Sequence, residues 1–111
     1  MTDRELLEAA ARAVNGGAWH PLTHDTPNGA WSPLTDDGDA LRLVVALGLA
    51  VIPYPIFAKP KHSVIAKQYD HARHLRGESE DVRIEEIQVY GDDPAAATRR
   101  AIVRAAAALA A

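Results

Sequence analysis

Three groups of side chains in this 111-residue chain have the types and spacings that chemistry needs. The first is acidic, Asp36-Asp37-Gly38-Asp39. Carboxylates this dense invite a metal reading. An EF-hand calcium loop places a glutamate eleven positions after its first aspartate; counting from Asp36 reaches Leu47, so that motif is absent. Helix capping and dipole compensation explain the same acids without a metal. The second group is the histidines, His20, His24, His62, His71 and His74. His20 and His24 are four apart, but Pro21 lies between them and no helix supports the spacing. His71 and His74 could share one side of a turn, yet neither pair resembles a zinc motif, and no cysteine completes a structural site. Neither metal nor cofactor is expected.

The third group is basic and aromatic. Arg99, Arg100 and Arg104 fall on one predicted helix, and Arg100 and Arg104 share a face. Lys59, Lys61, His62 and Lys67 cluster in the strand region, and Tyr54, Tyr69, Trp19 and Trp31 could supply flat surfaces. Planar guanidinium groups suit phosphates, and aromatic faces suit bases. Trp31, Arg99, Arg100, Lys67 and Tyr54 are the candidate lining of a pocket for a nucleotide-like ligand. The plainer reading is a solvated charged face, with the tryptophans plugging the edge of a core.

Catalysis finds less support. There is no nucleophile elbow and no phosphate-cradling glycine loop, and Ser32, Ser63 and Ser79 have no recognisable partner set. A non-enzymatic protein is expected.

The elements that must position these groups follow from periodicity. Thr2-Asp3-Arg4-Glu5 fits a capping box opening a helix at about 3–15, with Leu6, Leu7, Ala10, Ala13 and Val14 at helical spacing. Residues 16–35 read as a long loop, a length that is often functional or pinned by packing. Thr35 or Asp36 caps a second helix at about 37–48, with Ala40, Leu41, Val44, Val45 and Leu47 facing inward and Gly48 ending it. Leu49 to Ile52 follows as a strand, which Pro53 and Pro55 must end, bulge or confine to an edge. Ser63 to Tyr69 and Val82 to Val89 alternate as strands. Asp92 or Asp93 caps the last helix, with Pro94 at its first position and Ala101, Ile102, Ala105, Ala106 and Leu109 as its buried stripe. The order α-α-β-β-β-α predicts one α+β domain over 1–111, a three-stranded, mainly antiparallel sheet covered by helices.

Two of these stretches carry a resemblance. Trp31-Ser32-Pro33-Leu34-Thr35-Asp36-Asp37-Gly38-Asp39-Ala40-Leu41 combines an aromatic anchor, a Pro-bearing turn and an acidic helix start. Together with the late run Gly91-Asp92-Asp93-Pro94 through Ala106, it resembles the phage ABA sandwich domain. That family comprises small proteins of tailed bacteriophages and prophages, named for α/β/α layering rather than for an activity. The resemblance covers the second helix, the strands and the last helix best, and is weaker over 16–30 and 53–60. It implies an α/β/α sandwich and a phage accessory protein working in the bacterial host cytoplasm.

Composition bounds the rest. Hydrophobic residues are 48%, charged residues 24% and the formal net charge −3, so no basic surplus drives nonspecific nucleic-acid binding. No cysteine is present, which removes disulfides and a thiol nucleophile and suits a reducing compartment. The apolar stretch from Leu41 to Phe57 is broken by Arg42, Gly48, Pro53 and Pro55, short of the roughly 20 apolar residues of a membrane span. The charged start Met1-Thr2-Asp3-Arg4-Glu5 has no signal-peptide pattern, so a cytoplasmic protein with no membrane partner is expected.

Two functions remain. One is a binding module that sequesters a nucleotide-derived host defence signal, with a pocket at a subunit interface. The other is a protein–protein interaction module targeting a host or phage protein. It predicts an exposed apolar patch, with Val51, Ile52, Ile56 and Phe57 as candidate contacts. An uncharacterised small hydrolase or a nucleic-acid-binding protein ranks third. A homo-oligomer is expected, because a three-stranded domain has little area to bury and its sheet edges can pair across a two-fold axis.

Overall fold

A computed structural model describes residues 1–15, 25–26, 29–54, 63–70, 76 and 82–110. Among them are three helices, and each starts where the sequence supplies a cap. Helix α1 (Asp3–Asn15) opens on the expected capping box. The Glu5 amide donates to the Thr2 hydroxyl at 3.1 Å, and the Glu5 carboxylate accepts from the Thr2 amide and hydroxyl. Helix α2 (Asp37–Leu47) is capped by Asp36, whose carboxylate accepts the Asp39 amide at 2.8 Å. It ends at Gly48 in the left-handed conformation, φ 61°, where the Gly48 amide returns to the Val44 carbonyl. Helix α3 (Pro94–Leu109) is capped by Asp93 and has Pro94 in its first turn.

Two short strands, β1 (Asp25–Thr26) and β2 (Gly29–Ala30), pair as a small antiparallel ribbon inside the region expected to be a loop. The main sheet comprises β3 (Ala50–Pro53), β4 (Ser63–Tyr69) and β5 (Val82–Val89), antiparallel, in that order across the sheet. The expected fold class, α+β with the order α-α-β-β-β-α around a three-stranded antiparallel sheet, is the observed one, apart from the added ribbon.

Register sorts the side chains. Residues directly opposite on antiparallel strands share a face. One face carries the rows Val51–Ala66–Glu86 and Pro53–Val64–Gln88. Val64 and Ala66 are fully buried there beneath α3. The core is completed by Leu6, Ala9 and Ala10 of α1, Ala40 and Leu43 of α2, and Ala101, Ile102, Val103, Ala105 and Ala106 of α3. Alanine on both α1 and α3 lets the two helix backbones approach closely, and α3 packs against β4, β5, α1 and α2.

The other face carries the rows Ala50–Lys67–Glu85, Ile52–Ile65–Ile87 and Ser63–Val89. Ile52, Ile87 and Val89 are exposed, at 37, 55 and 56%. The described helices gather on the first face, so the second helical layer of an α/β/α sandwich is not formed by the described residues.

The buried stripes differ from expectation in detail. On α2, Leu41 and Val45 are 61 and 75% exposed, while Leu43 is buried. The inward set is Ala40, Leu43, Val44 and Leu47, a narrow stripe spaced i, i+3, i+4, i+7. It is narrow because α2 leans chiefly on α3. On α1, Val14 is exposed; on α3, Val103 and Ala107 join the stripe and Leu109 is only half-buried.

Candidate functional site

The segment 31–39 and α3 meet through polar contacts. Trp31 is half-buried and packs against the core, the plugging role expected of a tryptophan at its edge. Beyond it, the Asp36 amide donates to the Ser32 carbonyl at 2.8 Å and the Thr35 amide to the same oxygen at 3.1 Å, a tight turn before α2. Asp39 is 2% exposed, yet charged in type. Its two oxygens are both used: Oδ2 accepts the Ser32 amide at 2.8 Å, and Oδ1 accepts Arg42 Nη1 at 2.7 Å. A buried carboxylate persists only with such partners. Asp36 caps the helix and Asp37 receives Arg99 Nη1 at 2.6 Å. The acidic run is therefore committed to backbone amides and guanidinium groups. Among the described residues, no three side chains of metal-ligating type come together.

The three arginines of α3 point to three different partners. Arg99, 16% exposed, donates from Nε to the Leu34 carbonyl at 2.9 Å and from Nη1 to Asp37. Arg100 pairs with Asp3 of α1 at 2.8 Å. Arg104 pairs with Glu86 of β5 at 2.9 Å and donates to Gln88 Oε1 at 3.0 Å. Each of these three arginines already faces an acidic side chain, across separations that no sequence pattern displays.

The other candidates lie elsewhere. Lys67 is on the open face of the sheet, its ammonium 5.0 Å from the centre of the Tyr69 ring. Tyr54 follows β3; its ring is exposed, and its carbonyl accepts the hydroxyl of the buried Tyr90 at 2.8 Å. Of the five residues proposed for a ligand, Trp31 and Arg99 both serve the 31–37 segment, while Arg100, Lys67 and Tyr54 are placed apart. Arg99 alone of the five lines a groove of about 380 Å³ between α2 and α3, whose other walls are mostly apolar, Leu41, Val44, Val51 and Ile102 among them, with Asp37 and Thr98 as the polar exceptions. Trp19, Ile56, Phe57, Lys59, Lys61 and all five histidines lie outside the described residues.

The feature that sequence reasoning missed is the row Ile52–Ile65–Ile87, which crosses all three strands of the open face. Lys67 and Glu85 lie opposite each other in the neighbouring row, and Val89 lies beyond it. An apolar centre with a charged border is the anatomy of a protein interface. Ile65 and Ile87 were visible as beats of alternating strands and Ile52 as a candidate contact; only the register joins the three in one row.

The arrangement defines an α+β domain with helices on one side of an antiparallel sheet and an apolar face that the described residues leave open on the other. Compared with known proteins, the chain matches no family model, no curated protein and no solved structure.

Proposed function

We propose that this protein is a non-enzymatic protein-interaction module that docks its partner on the open sheet face. The isoleucine row carries this reading: Ile52 and Ile87 are exposed and Ile65 sits between them, on a face where apolar area gains most by being covered. Among the earlier candidate contacts, Ile52 belongs to this face, whereas Val51 points to the core side. The resemblance to a phage family makes a host or phage protein the expected partner. The test is affinity capture from a bacterial lysate with wild-type protein and with Ile87→Thr. A specific partner retained by the first and lost by the second supports the reading. Capture unchanged by Ile87→Thr counts against it, and a second copy of the chain as the only species bound would redirect it to self-association.

The competing reading is sequestration of a nucleotide-derived defence signal, drawn from the same resemblance and from the arginines of α3. A phosphate there would have to displace Asp37, Asp3 or Glu86 from its arginine. Native mass spectrometry, followed by denaturation and analysis of released small molecules, separates the two. A nucleotide mass carried by the folded protein favours sequestration.

A further inference from the structure

A cleft of about 620 Å³ opens where the last turn of α2 meets the far ends of β4 and β5, with Leu47, Gly48, Gln68, Asp70 and Arg83 among its walls. None of the three isoleucines of the open row lines it, so a change at Ile87 leaves its walls intact. Its size is that of an ordinary small-molecule site.

One wall attracts positively charged donors. The Gln68 amide donates from Nε2 to the Leu47 carbonyl at 2.6 Å, which fixes which way the amide points. Its Oε1 is buried and has no donor. Buried acceptors rarely stay unpaired, so this oxygen can take a donor that the described residues do not supply. The last carbonyls of a helix lack intrahelical partners and form the negative end of its dipole. No basic residue lies in the last turn of α2 to offset this. Asp70 adds a carboxylate to the same cleft.

Arg83 supplies the opposite charge. Gln68 pairs with Ile84 and Tyr69 with Val82, so Arg83 falls in the irregularity of the ladder with no residue opposite it. Bulges of this kind re-aim a side chain. Arg83 is exposed, lines the cleft and makes no ion pair with another described residue.

We propose that this cleft binds a small zwitterion of the free amino-acid type. The ammonium faces the end of α2, Asp70 and Gln68 Oε1, and the carboxylate sits on the Arg83 guanidinium. Because Oε1 is shielded without a ligand, binding exchanges the Gln68–Leu47 hydrogen bond: the side chain turns Oε1 to the ammonium, and the freed Leu47 carbonyl accepts from the ammonium as well.

The experiment is an amide NMR titration of the full chain with each free L-amino acid at millimolar concentration. At least one is expected to shift the Leu47, Gly48, Gln68 and Arg83 amides saturably. Arg83→Gln, an exposed change that leaves the fold intact, is expected to weaken binding roughly tenfold by removing a charge-assisted contact. N-acetyl and carboxamide derivatives of the same amino acid are expected to lose the effect. The proposal is overturned if no amino acid moves these amides, if the blocked derivatives bind as tightly, or if Arg83→Gln binds like the wild type. Ile87→Thr is expected to bind the amino acid normally, so this result stands or falls apart from the docking face.

Discussion

Arg99 of α3 holds the start of α2 from 62 positions away: Nη1 lies 2.6 Å from Asp37 Oδ1 while Nε donates to the Leu34 carbonyl. The two contacts differ in weight. Asp37 is 82% exposed, so water competes for its charge, whereas the guanidinium itself is mostly covered. Arg99→Met should cost about 1–3 kcal/mol by leaving the Leu34 carbonyl without its donor. Asp37→Asn should cost under about 1 kcal/mol, and that part should shrink in high salt. Urea denaturation of both variants and the double mutant measures the split. Equal losses would mean that the ion pair, not the backbone contact, carries the junction.

Asp39 offers a sharper loss. Asp39→Ala removes the acceptor for the half-buried Ser32 amide and for Arg42, and should destabilise by about 1–3 kcal/mol. Asp39→Asn keeps one oxygen for the amide and should cost less. Amide exchange at Ser32 reports the same bond locally; protection that survives Asp39→Ala would show that another group holds the turn.

The open face should tolerate change. Ile87→Thr keeps a β-branched side chain at an exposed strand position and should alter stability by no more than about 0.5 kcal/mol. Thermal unfolding checks this. A fall in the midpoint of many degrees would mean that Ile87 is covered in the folded protein.

The alanine seam should not tolerate change. Ala105 is fully buried on α3, so Ala105→Leu should cost about 1–3 kcal/mol through overpacking. Neutral behaviour in denaturation would show that α3 and its neighbours can separate freely.

The start of α1 should respond to acid. Hydrogen bonds from the Thr2 hydroxyl and then the Thr2 amide hold the Glu5 carboxyl below its ordinary value. A lowered folded-state value means that the stabilisation is present above the usual carboxylate range and is lost as pH falls through the lowered value. Amide exchange in the first turn of α1 should therefore quicken in acid, and Thr2→Ala, which removes the hydroxyl but leaves the amide, should weaken that dependence.

How much of this was legible depended on range. Caps are local, so Thr2 with Glu5, Gly48 and Pro94 marked the helices from neighbouring residues alone, and the other caps narrowed to Thr35 or Asp36 and to Asp92 or Asp93. Alternation marked β4 and β5 to the residue. Asp39 looked like a dipole-compensating acid, because its burial depends on where Ser32 and Arg42 lie. Leu41 and Val45 looked inward because a helical stripe does not state how wide its neighbour is. The partners of Arg99, Arg100 and Arg104 could not be read, since each joins elements brought together only by folding. The same holds for the isoleucine row: Ile52 was a candidate contact, but Ile65 and Ile87 were ordinary strand residues until the register aligned them with it.

Helix α1 packs along α3, and Arg100 grips Asp3 across 97 positions. The opening helix therefore has no lasting seat until the closing one exists. During synthesis, Leu6, Ala9 and Ala10 must wait for Ala101, Val103 and Ala105 to leave the ribosome, and only then can the core seal. A chain cut short before residue 94 would leave a sheet without its cover and a first helix with nowhere to rest.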